Sequence, residues 1–394
     1  MNLRAKIGAG LLWGLWAPAA VGGGMALAPL QALAALLLAP WGAIRTAVRG
    51  HALWLAPIAL FFAWAAISQT WSLFPTTMQT VKSAAGALAV LGLCAGLRAA
   101  PGPTARGFIW LAVFATALTA AMEIVEAVAG MAINRLFQPD AIDWVLARNP
   151  GKGAAVLMLT APAAAIWLAF GPGANHARRI AAVTLAAACA FVSLQFGMDA
   201  NRVACAIAFG LAAVAAAAPQ TTLRALTAGI AAMLLGAPLI YAGLADRLTG
   251  VVMNQSWMHR IDIWGHVTDG IAQKPLFGWG MDATRRISAA LSSGIEIPLH
   301  AHASSLQIWL ELGAVGAVLG AAGIAFGGWR LAASLSRNRL HAACAAALLG
   351  AAWTSWTLSF SLWQEWYLGA FGAAAGLVTA ITNAKAAPKA ELNR

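Results

Sequence analysis

The residues best placed for chemistry gather in one stretch, Leu299-His-Ala-His302-Ala-Ser-Ser305, which leads into a long apolar run from Leu306 to Phe326. Ser304 and Ser305 are expected to cap the helix that begins there. A histidine at a helix N-terminus meets the positive end of the dipole, which disfavours imidazolium and leaves the ring able to accept a proton. Free backbone N–H groups at such an end also suit a phosphate. Two arginines occupy positions that call for an anionic partner. Arg202, in Met198-Asp-Ala-Asn-Arg202, opens an apolar helix, and a charge carried deeper into hydrocarbon costs about 2.5–3.5 kcal/mol. Its simpler reading is an interfacial pair with Asp199. Arg260 falls between Val267 and Trp264 on the apolar side of an amphipathic segment, and its simpler reading is snorkelling to headgroups. Arg148, Lys152, Arg285 and Arg286 lie on the same side in the expected topology. Arginine grips phosphate bidentately without deprotonating, and a neutral His can take the proton of an attacking hydroxyl. The set suits an anionic substrate presented at a membrane, such as a lipid pyrophosphate. There is no Asp-x-Asp pair and no His/Cys cluster for a metal. Pro150-Gly-Lys152-Gly lacks the glycine spacing and the Ser/Thr of a P-loop, so no cofactor is expected.

The elements that must position these groups follow from composition. Of 394 residues, 61% are hydrophobic and 10% charged, against roughly a quarter charged in soluble chains. Mean hydropathy is +0.75. Runs such as 154–170, 203–218 and 306–326 approach the roughly 20 residues of a spanning helix, and they do not alternate as barrel strands do. The reading is an all-α polytopic membrane protein, one membrane domain over 1–394, with about twelve spans. These lie near 8–24, 25–41, 52–69, 83–97, 107–130, 153–171, 180–196, 202–218, 223–244, 304–327, 339–360 and 364–383.

The net charge of +12 and pI near 10.6 would suggest nucleic acid in a soluble protein. Distribution points elsewhere. With the N-terminus inside, most Lys and Arg fall in inner segments, among them Arg4, Lys6, Arg45, Arg49, Arg98, Arg106, Arg178, Arg179, Arg330, Arg337, Arg339, Lys385 and Lys389. Only Glu391 of the thirteen acidic residues joins them. This is the positive-inside bias, with both termini cytoplasmic and no nucleic-acid partner expected. Met1–Ala34 has signal-like features, but removing it would upset that topology, so it is expected to be retained. Cys94, Cys189, Cys205 and Cys344 sit within apolar runs without CxxC spacing and read as inert.

Two outer segments exceed simple turns, 131–151 and the long outer loop 245–303. Within the latter, Trp257, Ile261, Trp264, Val267 and Ile271 recur at helical spacing, and His259, Asp262, His266, Asp269 and Gln273 form the opposite stripe. Pro275 ends the segment, which predicts a short amphipathic helix over 256–273.

Over residues 195–330 the sequence resembles the O-antigen ligase / O-antigen polymerase superfamily. Arg260-Ile-Asp-Ile-Trp264, Pro275-Leu-Phe-Gly-Trp-Gly280 and His300-Ala-His302 running into Leu306-Gln-Ile-Trp-Leu-Glu311-Leu-Gly313-Ala-Val-Gly316 carry the likeness. The ligases' motif is His, then Asn, Ser or Gln, nine residues, Gly, two residues, and Gly, Thr or Tyr. His302, Gly313 and Gly316 fit it, and Ala303 departs from it. The resemblance implies an inverting glycosyl transfer, without metal or nucleotide, at the periplasmic face of the bacterial inner membrane. The implied donor is an undecaprenyl-pyrophosphate-linked glycan. The acceptor is lipid A–core for a ligase of lipopolysaccharide biosynthesis, or a second lipid-linked glycan for a polymerase. His302 would serve as base, with Arg202 and Arg260 on the pyrophosphate. Lys152, Arg148, Arg285, Arg286, His300 and Glu311 are further candidates for binding substrate.

A transporter of an anion or lipid-linked sugar is the main rival. It would use polar groups within the membrane, for which Glu123 and Glu126 are the main candidates; structural pairing is the other reading of both. A non-catalytic partner of an envelope complex is the third.

Overall fold

The computed structural model describes residues 3–248, 250, 251, 253–287 and 300–384, and contains no strand among them. Residues 288–299 of the long loop, and Lys385, Lys389 and Glu391, lie outside this set. The helices are α1 (Leu3–Gly14), α2 (Trp16–Val21), α3 (Leu27–Leu38), α4 (Trp41–Ser68), α5 (Thr77–Ala99), α6 (Gly102–Val128), α7 (Ala132–Phe137) and α8 (Asp143–Leu146). They continue as α9 (Arg148–Phe170), α10 (His176–Ser193), α11 (Asp199–Ala217), α12 (Pro219–Leu248), α13 (Gln255–Gln273), α14 (Ser304–Leu335), α15 (Arg339–Leu358) and α16 (Glu365–Asn383).

Seven helical stretches among the described residues are long and apolar enough to cross a membrane, those built on α4, α5, α6, α9, α11, α12 and α14. The chain is thus an all-α integral membrane protein. Helices α10, α15 and α16 stand where three further spans are expected. The first two expected spans differ. The stretch 8–24 is divided between α1 and α2, and α3 has only 12 residues, a rise of about 18 Å against about 30 Å of hydrocarbon. Leu15 interrupts the first stretch, extended Ala39 and Pro40 end α3, and Gly22-Gly23-Gly24 separates α2 from α3. Gly23 (φ 97°) and Gly24 (φ 83°) take conformations that L residues avoid, and they turn the chain back. A Cβ on Gly23 would strike the Asn149 side chain, and one on Gly24 the Trp366 ring.

Two packed groups hold the molecule. Around α9, buried almost continuously from Gly153 to Ala165, lie α2, α6, α10, α11, α15 and α16. Its Ala-rich sequence lets neighbouring backbones come close, the mode of association lipid favours. In the second group α12 pairs with α14, flanked by α4, and α13 lies across both. The expected amphipathic helix is α13, capped by the Asn254 side chain, which accepts from the Trp257 N–H at 3.0 Å. Ile261, Trp264, Val267 and Ile271 are buried against Tyr241 and Leu306, while His259, Asp262, Asp269 and Gln273 face outward. Each buried side chain of this size contributes up to about 1.5–3 kcal/mol, enough to fix the helix and with it Arg260.

Helix α14 is not continuous. Gly313 (φ 64°, ψ −165°) breaks it, leaving carbonyls without intrahelical donors. The segment Pro275–Gly280 supplies them: Trp279 N–H donates to Leu310 O at 2.8 Å and Gly280 N–H to Glu311 O at 2.8 Å. Trp64 Nε1–H donates to Leu312 O at 2.9 Å. In return Ala314 N–H donates to Pro275 O at 2.8 Å. Irregular backbone at this depth persists only when satisfied in this way. The two glycines of the His-x10-Gly-x2-Gly spacing are therefore steric: a Cβ on Gly313 would strike the Leu276 carbonyl oxygen, and one on Gly316 would strike Leu312 Cβ.

Candidate functional site

A cavity of about 470 Å³ opens where α9, α11, α13, α14 and the turn between α15 and α16 meet. Arg148 and Lys152, one turn apart on α9, line it together with Arg260, Arg285, His300 and His302. Its other polar walls are Gln79, Ser359, Ser361, Gln364 and Glu365. Four fixed cations, Arg148, Lys152, Arg260 and Arg285, thus face one carboxylate, Glu365, and that carboxylate lies 3.4 Å from Lys82 Nζ. Among the described residues no carboxylate lies within ion-pair distance of Arg148, Lys152 or Arg260. An anion entering here meets charge that the protein has left uncompensated.

Arg260 is half-buried. Its Nε donates to Leu358 O at 3.2 Å, its Nη1 donates to Ser256 O at 3.0 Å and to Ser256 Oγ, and its guanidinium lies 5.2 Å from the Trp257 ring. Burial works against its charge and Asp199 works for it. Arg285 is held by Asp282, with Nε 2.9 and 2.8 Å from the two carboxylate oxygens. Burial raises the Asp282 pKa, opposed by Arg285 and Thr76. Arg148 lies 4.3 Å from the Trp144 ring and Lys152 5.8 Å from that of Trp366.

His302 takes a left-handed conformation (φ 49°), which a non-glycine residue adopts only when its surroundings hold it. Its own N–H donates to His300 Nδ1 at 3.2 Å, and the two rings stand 4.3 Å apart, edge to face. His302 Nδ1 is buried without a hydrogen bond among the described residues. Burial first, then like-charge coupling to His300, Arg260 and His259, pushes the His302 pKa down to about 3, against an opposing backbone hydrogen bond at Ser359. Burial, Arg260 and Arg285 bring His300 to about 4. Both rings are neutral at neutral pH.

The helix end differs from expectation. Neither serine caps α14; its N-cap is Ala303, which makes no side-chain cap bond. Ser304 Oγ instead donates to Phe360 O at 3.2 Å, because the α15–α16 turn packs against this end and needs the donor.

Three candidates stand outside the cavity. Arg202 is half-exposed, with Nη1 3.0 Å from Asp199 Oδ1 and Nη2 donating to Leu194 O at 3.3 Å. The other Asp199 oxygen accepts from Trp257 Nε1 at 3.2 Å and Asn254 Nδ2 at 3.3 Å, so the carboxylate sits between Arg202 and the start of α13. Arg286 is exposed, 5.6 Å from the Phe74 ring. Glu311 is fully buried beneath the cavity and accepts from Asp282 N–H, Thr284 Oγ1, Trp363 Nε1 and Gln307 Nε2. It ties the 282–284 turn and the α15–α16 turn to α14. Glu126 is also structural, accepting from Ile133 N–H at 2.6 Å and Asn134 Nδ2 at 2.9 Å, with no arginine partner among the described residues.

Sequence reasoning missed the wall built by Ser359–Glu365. Gln307 Oε1 accepts from Ser361 Oγ at 3.0 Å and from Leu362 N–H at 3.2 Å, and Gln79 Nε2 donates to Trp363 O at 2.7 Å. The signal was present: Ser359, Ser361 and Gln364 crowd a six-residue connection between two apolar helices, with Glu365 directly after it. Beyond this wall lies a second cavity of about 520 Å³, lined almost entirely by apolar side chains such as Phe61, Ile308, Leu319 and Trp356; Trp363 and Ser304 also border it. Trp363 lines both cavities.

Residues 152–321 match the Wzy_C family, described as O-Antigen ligase. A protein of Rickettsia conorii, provisionally named a polysaccharide ligase, is 30% identical over 105 residues, which cover 23% of this chain and 26% of that protein. A like-named protein of Rickettsia bellii is 27% identical over 134 residues, 32% of each chain. The similarity therefore spans about a quarter to a third of these relatives. Both comparisons bear out the resemblance to the O-antigen ligase superfamily. The matched stretch holds Lys152, Arg202, Arg260, Arg285, His300, His302 and Glu311.

Proposed function

We propose that this protein transfers a glycan from a polyprenyl pyrophosphate to an acceptor hydroxyl, as an O-antigen ligase does, at the periplasmic face of a bacterial inner membrane. The observation that carries this reading is the placement of a neutral histidine among four cations in a cavity that shares a wall, Trp363, with an apolar one. The polar cavity suits the pyrophosphate and first sugar, and the apolar one suits the isoprenoid chain.

In this reading the acceptor oxygen attacks the anomeric carbon from the face opposite the pyrophosphate. The carbon–oxygen bond to the pyrophosphate breaks, and its electron pair leaves with the phosphate oxygen. Arg260, Lys152, Arg148 and Arg285 offset the charge that develops there, without reorganising during the step. His302 takes the hydroxyl proton, a contribution typically of about 10²–10⁴-fold. Burial and the Arg260 charge disfavour imidazolium at His302 while the cavity is empty, and a bound pyrophosphate offsets that charge.

The test is transfer of lipid-linked glycan by membranes carrying His302→Ala, Arg260→Ala or Lys152→Ala. Each is expected to lose most activity, and wild-type rates in correctly inserted variants would overturn the assignment. The acceptor is read from a deletion strain. Bare core with accumulated lipid-linked polymer marks a ligase, and core capped with a single repeat marks a polymerase.

A further inference from the structure

At the end of the bundle away from His302, α12 and α14 diverge around a groove of about 460 Å³. Arg224 on α12 lies 21 residues before Ala245, which packs with α13 beneath the His302 cavity, and that separation is about 30 Å of helix, one hydrocarbon thickness. The groove is floored by Ala225, Ala228 and Ala325 and closed at its end by Arg224 and Trp329. The Arg224 guanidinium lies 4.0 Å from the Trp329 ring centroid. Its Nε is buried without a hydrogen bond, and among the described residues no carboxylate pairs with it. Gln220 and Thr221 border the same space from the first turn of α12, whose opening N–H groups precede the first intrahelical acceptor; that of Thr222 already donates to Ala218 O at 3.0 Å. Trp329 itself is 54% exposed.

These features are complementary to one kind of occupant. A guanidinium at the edge of hydrocarbon is costly unless an anion meets it, and a phosphodiester suits its planar fork and the free N–H groups together. An alanine-floored channel between two apolar helices suits an acyl chain. We infer that this groove binds an anionic phospholipid, with Arg224 and the first turn of α12 on the phosphate and one acyl chain along the alanines. The site is distinct from the His302 cavity and holds whether or not the chain transfers glycans.

The test is native mass spectrometry of the purified full-length protein titrated with phosphatidylglycerol or phosphatidylcholine. The wild-type chain is expected to retain phosphatidylglycerol about tenfold more tightly, the worth of one charge-assisted contact, and Arg224→Gln to erase the preference. Arg330→Gln, which removes a cation stacked on Trp54 at 4.7 Å instead, is expected to keep it. Trp329→Ala, which leaves the charge in place, is expected to weaken binding and gives an independent reading if Arg224→Gln fails to fold. An unchanged preference in Arg224→Gln or, where that variant does not fold, undiminished phosphatidylglycerol binding in Trp329→Ala would overturn the inference. So would an equal loss in Arg330→Gln, or full displacement of the lipid by inorganic phosphate, the mark of a soluble-anion site.

Discussion

Titrating the transfer reaction from about pH 3.5 to 8 probes the electrostatics of the His302 cavity directly. In the empty cavity His302 is held at about 3 instead of its usual 6.5. That gap corresponds to about 5 kcal/mol against imidazolium. The acid limb of kcat/KM reports the free enzyme, so it should lie below about pH 4, with no inflection near the ordinary histidine value. The limb of kcat reports the complex. One negative charge about 6 Å from the ring, at an effective dielectric constant of about 20, favours imidazolium by about 3 kcal/mol. The kcat limb should therefore sit about two pH units above that of kcat/KM. Arg260→Gln removes one of the cations that depress His302. It should raise both limbs together, leaving the interval set by the donor's charge, while lowering kcat. The assay is steady-state transfer of lipid-linked glycan at saturating and limiting donor. A kcat/KM limb near pH 6.5, or limbs that coincide, would refute the idea that bound anion prepares the base.

Two further outcomes follow from the path into and through α14. Gly313→Ala places a Cβ against the Leu276 carbonyl and forces alanine into a glycine-only conformation, which should cost about 3 kcal/mol or more. A fall in Tm in detergent checks this, and an unchanged Tm would mean the helix break is not required. Ala303→Ser supplies the N-cap that α14 lacks and should stabilise by about 1 kcal/mol. Transfer rates should stay unchanged; a large gain in rate would show that a polar group beside His302 takes part in the chemistry.

Side-chain periodicity made α13 and the inward face of Arg260 legible, because an apolar stripe at helical spacing has one way to bury itself. The mouth of α14 was legible for the same reason: a long apolar run must begin somewhere, and His302 stands directly before it. What could not be read was non-local. Hydropathy alone cannot distinguish a 12-residue α3 from half of a spanning hairpin, since the difference lies in the backbone on either side of it, at Gly23 and Gly24 and at Ala39 and Pro40. Gly313 was visible as a motif position, yet its helix break exists only because Pro275–Gly280 supplies the missing donors. Glu311, in the same motif, reads as a substrate ligand until its four donors are counted.

Those donors explain why the cavity keeps its shape. Glu311 receives Asp282 and Thr284 from one turn and Trp363 from another, and Asp282 in turn holds Arg285 in the cavity wall. Removing the carboxylate would leave buried donors unpaired on three elements, each costing about 1–3 kcal/mol. The loss would fall on the two turns that carry Arg285 and the Ser359–Glu365 wall. Arg260, on a helix docked by its own apolar face, would stay in place. A site whose charges rest on separately anchored elements can lose one wall without losing the others. Glu311→Ala should therefore lower the affinity for donor more than it disturbs the docking of α13. Protection of α13 amides from hydrogen exchange, measured beside donor KM, separates these two effects. Equal loss of both would show that α13 depends on the Glu311 clamp after all.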